Sequence, residues 1–106
     1  MADNERRRSA RHPLARAAKV RCLQTGRYLA ARTQNISSSG ALLEVDHPSL
    51  LVSGQQVSVA VAWTSRDAVL KRDQMYPATV VRSLGLGGRQ HVAVVFAGAI
   101  PLALSA

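Results

Sequence analysis

The chain has 106 residues, enough for one domain that buries roughly two thirds of its unfolded surface without help from disulfides or metal. Fourteen Lys and Arg against six Asp and Glu give a net charge of +8, and twelve of the fourteen cations are arginine, a bias toward forked contacts with phosphate or base edges. A single cysteine, an N-terminus without an apolar stretch, and a longest apolar run of about 13 residues with Pro101 inside it argue against a disulfide scaffold, a signal peptide and a membrane span. A soluble, cytoplasmic protein is expected.

The first segment in chain order is a basic arm, residues 1–12, in which RRRSAR at 6–11 crowds four arginines into six positions. Nine of the fourteen cations fall within the first 32 residues, opposed there only by Asp3 and Glu5, so this end of the molecule is its electropositive end. Residues 3–11 carry no apolar side chain except Ala10 and cannot offset the entropy of their own ordering, so the arm is expected to be flexible until something anionic meets it.

Six windows of period-two alternation follow, at 18–23, 28–36, 41–45, 57–63, 77–84 and 90–96. The clearest is VSVAVAW at 57–63, with Val57, Val59, Val61 and Trp63 on one side and Ser58, Ala60 and Ala62 on the other. Turn residues separate the windows: Thr25-Gly26, the stretch 37–40, Ser53-Gly54, and GLGG at 85–88. No window sustains helical spacing with caps, and PLALSA at 101–106 has room for one helical turn at most. The pattern predicts a single all-β domain over 13–106, a sandwich or a barrel.

Two polar stretches stand out. RRRSAR reads as a solvated basic arm, as a nucleic-acid arm drawn to phosphates, or as a clamp in which Arg7 and Arg11 bracket a flat ligand; guanine offers O6 and N7 to a forked arginine and a π-face to a stacked one. NISSSG at 35–40 reads as an ordinary turn between strands, or as a site in which Asn35 and Ser37, two apart on an extended segment, project to one face while Gly40 lets a ligand approach the backbone.

Taken together, Arg7 to Arg11 as RxxxR on an arm, and Asn35 to Gly40 as NxSxxG between two strands, resemble the paired motifs of the PilZ domain family of cyclic-di-GMP receptors. VSVAV at 57–61, ATVVR at 78–82 and HVAVVF at 91–96 follow the family's order, so the likeness covers nearly the whole chain. The resemblance implies a six-stranded antiparallel β-barrel preceded by the arm. It implies that Arg7 and Arg11 hold guanine edges and phosphates, joined by Arg8, that Asn35 and Ser37 contact guanine and phosphate, and that Gly40 gives close approach. Arg6, just before RxxxR, goes in this family with capture of a mutually intercalated ligand dimer. The chain departs from the family in two places: Ala93 stands near a glycine that members often carry, and the C-terminal helix is missing or reduced to a stub, which removes a docking surface but touches neither motif.

Catalytic readings find little support. His12, His47 and His91 are far apart and match no metal-ligand spacing; Glu44, Asp46, Asp67 and Asp73 sit at strand ends and in a charged loop; the GLGG glycines follow no strand-to-helix pattern; Cys22 alternates with Val20 as a small core residue. No cofactor is expected. The expected function is a cyclic-di-GMP receptor or adaptor that signals by contact with an effector protein. Two other readings stay open: a basic nucleic-acid-binding module, which the shortage of aromatics for stacking disfavours, and a PilZ-like adaptor that works without ligand.

Overall fold

The computed structural model describes residues 10–48, 51–63 and 75–102. Seven strands follow one another: β1 His12–Pro13, β2 Ala17–Cys22, β3 Tyr28–Ile36, β4 Gly40–Val45, β5 Gln56–Val61, β6 Tyr76–Leu86 and β7 Arg89–Phe96. All pairings are antiparallel. The strands β3, β2, β5, β6, β7 and β4 are neighbours in that order, and the β3–β4 pairing closes the ring into a six-stranded barrel. Closure leaves no long strand edge open to water, the liability of a free sheet. No helix occurs among the described residues, so none is long and apolar enough to cross a membrane.

The six expected strands are all present, and the structure adds β1. His12 pairs with Ile36 and Pro13 with Asn35, on the same side of β3 that β2 occupies further along. The boundary expected at residue 12 therefore falls inside a strand. Proline has no N–H to give a ladder, which suits this short terminal strand.

The core is aliphatic. Val20, Ile36, Leu43, Val45, Val57, Val59, Val80 and Val92 are almost fully enclosed, and Phe96 and Ile100 are buried in the same cluster. The alternation of 57–63 holds for Val57, Val59 and Val61, but Ala60 and Ala62 are buried as well, so this segment is covered on both faces rather than half-exposed. β6 runs on to Leu86, and its hairpin to β7 turns through Gly87 and Gly88 alone, both at positive φ as a tight two-residue turn with right-handed strand twist requires. Thr33, Ser37 and Gln90 are buried polar side chains among the described residues; Gln90 accepts from Leu51 N at 2.8 Å and donates to His47 O at 3.0 Å, tying two separated stretches to the barrel.

Two irregularities govern what faces outward. Along β3 the pairing to β4 shifts between Thr33 and Asn35, leaving Gln34 as an extra residue. Along β6 the pairing to β7 shifts between Val80 and Arg82, leaving Val81 extra. Residues two apart on a strand share a face; an inserted residue breaks that rule. Thr33 and Val80 are buried, yet Asn35 and Arg82 stand on the outside.

Candidate functional site

The two sequence motifs meet on the outer surface. Arg11 Nη1 donates to Asn35 Oδ1 at 2.8 Å, across 24 residues of sequence. The contact is placed by the chain just after it. Thr33 Oγ1 donates to Leu14 O and accepts from Arg16 N at 2.9 Å; Thr33 N donates to Arg16 O at 2.8 Å, and Leu14 N to Gln34 O at 3.3 Å. Residues 14–16 are thus clasped to β3 beside its bulge, which sets the direction from which Arg11 reaches Asn35. Arg6, Arg7 and Arg8 lie outside the described residues.

Ser37 and Gly40 are placed differently from expectation. β3 ends at Ile36, so Ser37 belongs to the turn and does not share a strand face with Asn35. Ser37 is 1% exposed, and its hydroxyl accepts from Ser39 N at 3.3 Å and Gly40 N at 3.2 Å, while Ser37 N donates to Gly40 O at 2.8 Å. A serine hydroxyl competes well for such local backbone donors, and here it knits the turn. Gly40 is small for the sake of the barrel. A Cβ there would lie 2.5 Å from the carbonyl oxygen of Val94 on β7, so close strand packing by itself requires the glycine. The turn is also backed from behind, since Phe96 N donates to Ser39 O at 2.8 Å and Ile100 N to Ser38 O at 2.9 Å.

Beyond Asn35 the outer surface continues as one lateral row. Asn35 pairs with Leu42, Leu42 with Ala93, and Ala93 with Arg82. Sequence reasoning did not find this row, because a register across four strands leaves no local signature. Further along the sheet Glu44 lies 3.7 Å from Arg89 and 3.7 Å from His91, partly solvated contacts of small energetic weight.

The described residues contain no group of three or more metal-ligating side chains. Cys22 is buried, as its alternation predicts. Its burial pushes the thiol pKa up, but hydrogen bonds from Thr25, Gln24 and Gln55 outweigh this and hold it below the ordinary thiol value. None of those hydrogen-bond partners is a histidine or a carboxylate.

The chain closes a six-stranded barrel and bonds Arg11 to Asn35 near the end of β3, and the PilZ domain family model matches residues 5–103. The chain belongs to the PilZ domain family. Among solved structures it is similar to the inhibitor of motility MotI/DgrA of Bacillus subtilis, with a TM-score of 0.67, 12% identity, and coverage of 89% of this chain and 44% of that one. This PilZ chain therefore spans less than half the length of that protein, and at such identity the likeness is one of fold. No curated protein matches the sequence significantly. As a family, PilZ domains are binding and adaptor modules rather than enzymes.

Proposed function

We propose that this PilZ domain is a cytoplasmic cyclic-di-GMP receptor that orders its arginine arm on the barrel and signals through contact with an effector protein. The Arg11–Asn35 hydrogen bond carries the reading, because it brings the ends of RxxxR and NxSxxG together on one outward face. Arg11 and Asn35 hold a guanine edge or phosphate, with Arg7 and Arg8 closing from the arm and Arg6 serving a second, intercalated ligand. Ser37 and Gly40 act one step back: they hold the turn rigid so that Asn35 need not be ordered at the moment of binding.

The switch is electrostatic. Ligand phosphates neutralise the arm and draw it onto the barrel, creating a surface for the partner. Titration calorimetry with cyclic-di-GMP, GMP and a random oligonucleotide tests the reading. Saturable binding of the cyclic dinucleotide alone is expected; comparable binding of the oligonucleotide favours a nucleic-acid module, and no binding of any of the three favours a ligand-independent adaptor.

A further inference from the structure

The β2–β3 hairpin carries a second cationic surface, well removed from Asn35. No Asp or Glu occurs between Glu5 and Glu44, and the sequences of β2, β3 and β5 contain none. Period two sends Lys19 and Arg21 outward from β2, against the inward Ala18, Val20 and Cys22, and Tyr28 outward from β3. Arg27, next to Tyr28 in the chain, is exposed as well.

Tyr28 organises this end of the hairpin. It pairs with Arg21 across the two strands, and its ring centroid lies 5.8 Å from Arg21 Cζ and 5.4 Å from Lys19 Nζ. Cations held over an aromatic ring have less freedom to lose when a partner arrives. The apolar part of the surface is Tyr28 itself, 43% exposed, with Leu23, 44% exposed, just past β2. Arg21 Nε is shielded from water and makes no hydrogen bond. An enclosed donor without a partner opposes folding, and a carboxylate brought to the guanidinium offsets that cost.

We propose that Lys19, Arg21, Leu23, Arg27 and Tyr28 form a docking surface for an acidic segment of the effector protein, an inference that rests on the reading of the chain as a receptor signalling by protein contact. Arginine and tyrosine are the anchors typical of protein interfaces, and the forked guanidinium matches a carboxylate. A nucleic acid fits less well, because a base seeking the Tyr28 ring competes with the ammonium and guanidinium already over it. Anionic lipid surfaces draw larger clusters, of roughly four to eight cations. Tyr28 and Asn35 stand at opposite ends of β3, about 23 Å apart along the strand, and β2 lies across the barrel from β7. The domain can therefore hold ligand and effector at once.

The test is calorimetric titration of the full chain, with and without cyclic-di-GMP, using a blocked glutamate-rich peptide that carries leucine. The same peptide with glutamine for glutamate, and vesicles of equal parts phosphatidylcholine and phosphatidylserine, are the comparisons. The acidic peptide is expected to bind, with NMR amide shifts centred on residues 19–28. Arg21→Met and Tyr28→Ala are each expected to weaken it about tenfold, and Arg89→Met, the control for one exposed cation elsewhere, less than twofold. Arg21→Met should keep or raise the melting temperature, which a structural role would lower, and should keep the affinity for cyclic-di-GMP. Shifts confined to the arm, equal losses in Arg21→Met and Arg89→Met, equal binding of the glutamine peptide, or vesicle binding that these variants weaken in place of peptide binding would each overturn the docking surface and leave the receptor reading standing. Failure of the unaltered chain to bind cyclic-di-GMP overturns the receptor reading, and the titration without ligand then decides the surface separately.

Discussion

Within the two motifs the structure separates side chains on the outer surface from those that hold others in place. Arg11 and Asn35 touch each other in an exposed setting, where a single contact adds little to folding. Arg11→Ala is therefore expected to leave the melting temperature nearly unchanged and to lower cyclic-di-GMP affinity about ten- to a hundredfold, measured by calorimetry beside a thermal melt. Gly40 is the opposite case. The Cβ of an alanine would press on the Val94 carbonyl oxygen, a backbone atom that cannot swing aside. Gly40→Ala is expected to cost about 1 to 3 kcal/mol, read as a drop of several degrees in melting temperature, and any loss of binding should follow from the displaced turn.

At the scale of elements, β3 does three things in nine residues. Its first half pairs with β2, its second half closes the barrel on β4, and its end receives β1. The bulge at Gln34 and the Thr33 clasp let it change partners while Asn35 turns outward. Thr33→Val keeps the shape but leaves Arg16 N and Leu14 O without their partner, at an expected cost of about 1 to 2 kcal/mol in chemical denaturation. Hydrogen exchange at residues 14–16 should quicken, and ligand affinity should fall further than the global stability alone accounts for, because these residues aim Arg11.

For the whole molecule, the closed barrel is the fixed part and charge is the variable part. A single cyclic-di-GMP carries two negative charges and an intercalated pair carries four, whereas Arg6, Arg7, Arg8 and Arg11 place four guanidinium groups on one short stretch. Saturation at two ligands per chain is expected in titrations far above the dissociation constant, with Arg6→Leu lowering it toward one. Saturation of the unaltered chain at one would remove the paired-ligand reading and leave Arg11 and Asn35 in place. Amide relaxation by NMR is expected to show residues 5–10 gaining order on ligand addition; equal order in the free protein would rule out the switch while leaving binding intact.

Sequence alone determined the strands and the motifs, because both are local: period-two runs, glycine turns and the spacings of RxxxR and NxSxxG can be read within a few residues of one another. It placed Cys22 in the core and Val57, Val59 and Val61 on one inner face for the same reason. What it could not determine was register. Period two extrapolates Thr33 onto Asn35 and Val80 onto Arg82, and one inserted residue in each strand reverses the answer. Nor could it show that Gln90 is satisfied inside the core, that Ser37 turns into its own loop, or that Gly40 is small because β7 passes over it. Each of these depends on a partner tens of residues away, and only closure of the barrel decides which backbone atom stands opposite which side chain.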